Sequence, residues 1–184
     1  MAQKTSAKEA VLDAFERVVI DRGERAATLE AVAVEAGVSK GGLLYHFGAK
    51  KDLVEGLVSR LTGLAAADLE NLTAAPDGIV SRFIRSSVVI GTPFDTTYIA
   101  MTRLAQSGLY PEANASLAGV EQGWRALIEE AVGDPAVARL VLLVGDGLYY
   151  NAALFPFDKL PTPAAELDDV IAAIEDLARS RAAG

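Results

Sequence analysis

The chain has 184 residues, of which 51% are apolar, a formal net charge of −8 and no cysteine. That length and apolar content support a substantial core, and the missing thiols exclude a disulfide framework and a thiolate metal site. No apolar run long enough to span a bilayer is present, and the start MAQKTSAKEA lacks the apolar stretch of a secretory signal; a cytoplasmic chain without a membrane partner is expected.

Alanine, leucine and glutamate dominate and no clean alternation of apolar and polar residues persists, so the predicted class is all-α with about nine helices. Ser6 followed by Glu9 has capping-box spacing, and Val11, Ala14, Phe15, Val18 and Val19 form the stripe of a first helix ending at Gly23. Thr28 caps a short second helix with Leu29, Val32, Ala33 and Ala36 on its apolar face, stopped by Gly37. Only Val38 separates that glycine from Ser39, which caps a third short helix through Leu43, Leu44 and Phe47 to Gly48. Two short helices joined by a tight glycine turn form a helix-turn-helix.

A longer helix follows from Lys50 to the breaker Ala75-Pro76-Asp77-Gly78. Stripes through Ile79 to Val88, Phe94 to Ala105 and Leu117 to Ala131 predict three more helices. The eighth starts at Pro135 and runs to Phe155, and the ninth carries Leu167, Val170, Ile171, Ile174 and Leu177.

Charge is unevenly placed. In residues 1–60 five lysines and four arginines balance nine acids, so the whole −8 falls on residues 61–184. Residues 36–51 hold Lys40, Lys50 and Lys51 with no acid, a local basic spot. Glycines inside a helix are unfavourable by about 1 kcal/mol each, yet Gly41 and Gly42 open the third helix beside Lys40. At the front of a recognition helix they let the backbone approach base edges in the major groove.

The stretch TLEAVAVEAGVSKGGLLYHFGAKKDLV, residues 28–54, resembles the DNA-binding signature of TetR-family repressors. The resemblance covers the first third of the chain in detail and the remainder in helix number and length. It implies a three-helix DNA-binding domain over residues 1–48 and a helical ligand-binding and dimerisation domain over 49–184. It also implies a repressor that binds a palindromic double-stranded DNA operator as a homodimer and is released by a small, hydrophobic effector.

On that resemblance the DNA contacts fall to Thr28, Ser39, Lys40, Gly41, Gly42, Leu44, Tyr45, His46 and Lys50. Lys40 suits a base or phosphate, and Tyr45 and His46 suit phosphate oxygens. Lys50 and Lys51 lie in the first turn of their helix, where the macrodipole disfavours cations and only Asp52 offsets them locally; an external phosphate would resolve the conflict. Ala49 stands where relatives carry a capping serine, Leu44 where many carry a second aromatic, and Gly42 has no side chain where relatives often have one, so direct readout is expected to be thin.

The family resemblance further implies a ligand cavity within helices five to eight and a homodimer through the last two long helices. The segment VARLVLLVGDGLYYNAALF is apolar almost all round, which calls for burial either against a partner or inside its own domain. Its Gly145-Asp146-Gly147 is expected to interrupt the helix and admit another backbone. Asp146, a carboxylate in apolar surroundings, suits a cationic ligand, a pair with Arg139 or Arg125, or the dimer seam. The DGLYYN segment is similar to multidrug-responsive members of the family. Phe94, Tyr98, Met101, Trp124, Asp146, Tyr149 and Asn151 are the candidate ligand contacts.

An enzyme is disfavoured: there is one histidine, and no HExxH, GxSxG or P-loop is present, so no cofactor or metal is expected. The alternative is a helical protein-interaction module without DNA binding. It leaves unexplained why two glycines and Lys40 head the third helix.

Overall fold

Side chains that accept the first free N–H groups set the helix starts. Ser6 Oγ accepts from Glu9 N (3.2 Å), Thr28 Oγ1 from Ala31 N (3.1 Å) and Ser39 Oγ from Gly42 N (3.0 Å). They open α1 (Ala7–Arg22), α2 (Leu29–Ala36) and α3 (Lys40–His46). The computed structural model describes residues 6–154 and 164–182. In these residues the remaining helices are α4 (Lys50–Thr73), α5 (Ile79–Ser86), α6 (Pro93–Gln106), α7 (Pro111–Val132), α8 (Pro135–Leu154) and α9 (Ala164–Ala182). The described residues contain no strand, and a 3₁₀ turn at Glu24–Ala26 joins α1 to α2. The all-α class and the nine helices stand.

The turn between α2 and α3 is a Schellman motif. Gly37 adopts the left-handed conformation (φ 68°, ψ 27°); its N–H donates to Val34 O (3.1 Å) and that of Val38 to Ala33 O (3.0 Å). Glycine is required there because an L side chain is strained at that φ.

Three helices need correction. Phe47 is extended (φ −141°), so α3 ends at His46. α7 begins six residues before Leu117, because Pro111 takes the first helical position, where its missing N–H has no intrahelical partner to lose. α8 runs unbroken through Gly145-Asp146-Gly147. Gly145 admits an aromatic ring: a Cβ there would lie 2.5 Å from Phe83 Cε1. Phe155, expected to end the eighth helix, lies outside the described residues.

By packing the chain falls into two compact units, one of residues 1–64 and 93–119, the other of residues 65–92 and 120–184. The boundary at 48/49 is a division of roles and remains a proposal. In the first unit α1 packs on α2, α3 and α6. Its core holds Val11, Phe15 and Val18 of α1, Val32, Leu43, Leu53, Leu57 and Leu61, and Met101 and Leu104 of α6. Gly56 is forced by this packing: a Cβ would sit 2.9 Å from Leu12 and 3.2 Å from Phe47.

In the second unit α5 packs on α8 and α9, around Ile84, Ile128, Val141, Leu142 and Ile171. Asp134 caps α8 by accepting from Ala136 N (2.8 Å) and Val137 N (3.0 Å), and Arg181 of α9 donates to the same carboxylate (3.0 Å). Among the described residues no helix is long and apolar enough to cross a membrane.

Candidate nucleic-acid interface

The seven residues of α3 divide cleanly by burial. Leu43 anchors the helix in the first unit's core, with Phe47 buried just beyond it, while Lys40, Gly41, Gly42, Leu44, Tyr45 and His46 are exposed. Tyr45 is 85% exposed and meets His46 edge-on, ring centroids 5.0 Å apart. An exposed tyrosine with an adjoining leucine and histidine presents apolar area, hydroxyl and imidazole outward together.

A Cβ placed on Gly41 would meet nothing within 4 Å, so the protein's own packing does not demand glycine. At Gly42 a Cβ would press on the capping Ser39 Oγ at 3.3 Å. Packing thus accounts for the absence of a side chain at Gly42, beside the cap, and leaves Gly41 without an internal reason. Thr28 and Ser39 are exposed as well, their side-chain oxygens accepting from the N-termini of α2 and α3.

Of the nine residues expected to meet DNA, Lys50 alone is not exposed. It is half-buried, its Nζ donating to Glu24 O (2.5 Å) and Glu24 Oε1 (2.6 Å). Tyr110 OH donates to the same carboxylate oxygen (2.9 Å). The Lys50 hydrogen bond holds the Glu24 carboxyl below the usual range. Burial first, then the Glu24 hydrogen bond, push the Tyr110 phenol up to about 12.

The expected need for an external anion at this helix start is thus corrected, because internal carboxylates supply it. Lys51 pairs with Glu55 at 3.7 Å, and Asp52 Oδ2 accepts from Ala49 N (3.1 Å), closing α4 from within where no serine caps it. Lys40 is also paired: its ammonium donates to Glu30 of α2, both side chains being solvent-exposed. That hydrogen bond, with Glu30's own backbone N–H second, holds the Glu30 carboxyl below its ordinary value.

A polar network centred on the buried Glu16 was invisible in the sequence. Glu16 of α1 is buried; Arg60 Nη1 donates to its Oε2 (2.9 Å) and Thr97 Oγ1 to its Oε1 (2.5 Å). The same guanidinium pairs with Glu9 (2.5 Å) and Asp13 (2.8 Å). Burial raises the Glu16 carboxyl, opposed by the Thr97 hydrogen bond and then by Arg60. One arginine thus joins α4 to three acids of α1, and one threonine joins α6 to the same carboxylate.

The seven candidate ligand contacts are split. Phe94, Tyr98 and Met101 belong to the first unit; the two rings stack with centroids 5.8 Å apart, and Met101 is fully buried in the core. Trp124, Asp146, Tyr149 and Asn151 belong to the second. Trp124 meets Phe83 edge-on at 5.7 Å and donates its Nε1 to Asp68 Oδ2 (2.8 Å). Asp146 is exposed on α8; partial desolvation and then the Glu121 carboxylate raise it, against Arg139. Arg125 (2.9 Å) and Arg139 (3.3 Å) both donate to Glu121, so the arginine pair that was one of three alternatives for Asp146 is not formed.

A capped, glycine-turned pair of short helices with its second helix bared to solvent defines a helix-turn-helix protein. Residues 11–57 match the family model for bacterial regulatory proteins of the tetR family, and residues 77–179 the model for the tetracyclin repressor-like C-terminal domain. The chain belongs to the TetR family of transcriptional regulators.

Among curated proteins it is 36% identical over 59 residues to the HTH-type transcriptional repressor BepR of Brucella suis biovar 1 (strain 1330), covering 32% of this chain and 28% of that one. It is 37% identical over 93 residues to the HTH-type transcriptional regulator BetI of Klebsiella pneumoniae (strain 342), covering 50% and 45%. The chain thus spans less than half the length of each curated relative it matches. Its fold is similar to that of the multidrug binding protein EbrR complexed with malachite green (TM-score 0.65, 22% identity, 92% of this chain and 98% of that one). It is also similar to Salmonella enterica GusR (TM-score 0.64, 14% identity, 97% and 98%).

Proposed function

We propose that the chain is a ligand-responsive repressor that binds a palindromic operator as a homodimer and is released by a small molecule. The observation that carries the DNA-binding reading is the bared face of α3, where Lys40, Leu44, Tyr45 and His46 stand exposed beside a glycine that the fold itself does not need. Lys40 meets base edges or phosphate, Tyr45, His46, Thr28 and Ser39 fix the backbone register, and Leu44 suits a thymine methyl. Lys50 then acts by holding the start of α4 in place.

The dimer reading is supported by α8. Its exposed residues Arg139, Leu140, Leu143, Asp146, Gly147 and Tyr150 recur at helical spacing. Leu143 is 51% exposed and Tyr150 65%, an apolar stripe that a second copy would cover. Asp146 shares that stripe, which assigns it to the seam in this reading. Two recognition helices related by the two-fold would enter major grooves about 34 Å apart.

For the effector, EbrR is described as multidrug binding, and similarity to it supports a hydrophobic small molecule. Phe94, Tyr98, Tyr149 and Asn151 remain the candidate contacts, while Met101 and Trp124 carry packing roles as well. Effector binding would act on the DNA-binding face by rotating α4, which belongs to both packing units.

The test is operator titration. Lys40→Ala and Tyr45→Phe are expected to weaken binding, the lysine by about 1 kcal/mol or more, with helicity and unfolding midpoint unchanged. Unaltered affinity in both variants would point to the protein-interaction alternative.

A further inference from the structure

Residues 36–51 contain three lysines and no acid, yet each ammonium is held by a glutamate from outside that stretch. The three pairs differ in kind. Lys50–Glu24 is largely buried and shared with Tyr110, so it holds the fold together. Lys51–Glu55 is a loose surface pair one turn apart on α4. Lys40–Glu30 joins the first turn of α3 to the first turn of α2, with both side chains more than half exposed.

That last pair occupies the ground that DNA would need. A phosphate reaching Lys40 must compete with the Glu30 carboxylate for the ammonium, and the neighbouring carboxylate repels it. Lysines that neutralise phosphates drive sequence-independent binding by releasing the counterions condensed on the DNA; an ammonium that stays matched to a carboxylate neutralises less phosphate charge and releases fewer.

We propose that Glu30 is an internal competitor for the DNA backbone. It masks Lys40 in the free chain and lowers affinity for any duplex that offers phosphates alone, which makes Glu30 a determinant of selectivity. The proposal rests on Lys40 facing DNA, as the proposed function has it. It needs no ligand and no rearrangement beyond the swing of two exposed side chains, and surface pairs of this kind are weak enough to exchange.

The experiment is titration of a random-sequence duplex with the full chain across a salt series, for wild type, Glu30→Gln, Lys40→Ala and the double variant. Glu30→Gln is expected to bind roughly 3–5-fold more tightly at low salt, with the slope of log K against log salt steeper by about one phosphate equivalent. In the Lys40→Ala background the gain should shrink below about 2-fold, because no masked ammonium remains to release. Equal gains in the two backgrounds would reduce Glu30 to a distant negative charge and overturn the proposal. An unchanged affinity and slope in Glu30→Gln, with Lys40→Ala weakened, would overturn the masking while leaving the DNA-binding reading intact. Failure of the wild type and Glu30→Gln alike to bind any duplex at low salt would overturn both.

Discussion

Gly41 stands at the second position of α3 with open space where a side chain would be. Gly41→Ala should therefore stabilise the chain, by about 1 kcal/mol from helix propensity, while weakening operator binding if the backbone must come close to the groove. A denaturant midpoint and a DNA titration on the same preparation check both halves; a stabilised variant with undiminished affinity would remove the reason given for the glycine. At this scale the sequence was informative about what is local. Thr28, Ser39 and Gly37 act through partners three to five residues away, and their roles follow from spacing. The partners of Lys40, Lys50, Glu16 and Trp124 lie 10, 26, 44 and 56 residues away, where no periodicity records them. A basic spot could be seen in the residues, but the carboxylates that neutralise it could not. Gly56, fixed by Leu12 and Phe47, was hidden for the same reason.

The first-unit helices are held together by polar contacts as well as by apolar packing. Arg60 of α4 serves Glu9, Asp13 and Glu16 of α1. Arg60→Met strands a buried carboxylate and should lower stability by about 3 kcal/mol at neutral pH. Burial already holds the Glu16 carboxyl above its unfolded value in the wild type. The native state therefore binds the proton more tightly than the unfolded chain. Any stability this group lends is present below its unfolded value and is lost as pH rises through its folded one. Without Arg60 that value rises further, so the deficit of Arg60→Met should shrink as acid protonates Glu16. Urea unfolding of both proteins at several pH values reads this; a deficit that stays constant into acid would locate the loss elsewhere. Helix starts and stops were largely legible because caps and glycine turns are local chemistry. α8 was misread as interrupted because a glycine pair reads as a breaker when the Phe83 ring that fills the space is 62 residues away in the chain. The early start of α7 was missed because its first turns carry polar residues, and only Pro111 marks them.

For the whole molecule, the class and number of helices followed from composition and periodicity, while packing units drawn from separated stretches of chain did not. α6 packs on α1 although some 70 residues intervene, a pairing that only tertiary contacts reveal. The proposed dimer makes its own demand. Leu143→Glu places a charge in the middle of the exposed apolar stripe of α8 and should yield a folded monomer with much weakened operator affinity, since a two-fold interface repeats the charge on both copies. Light scattering gives the mass directly, and an unaltered dimer would place the interface on another face.

The most direct test of a dimeric DNA-binding regulator is selection of sites by the full chain from a random-sequence duplex pool, with the mass of the complex determined. The account predicts an enriched pseudo-palindrome whose half-sites lie about one helical turn apart or a multiple of it, bound by an even number of chains. No enrichment at low salt, from a folded protein of correct mass, would contradict it.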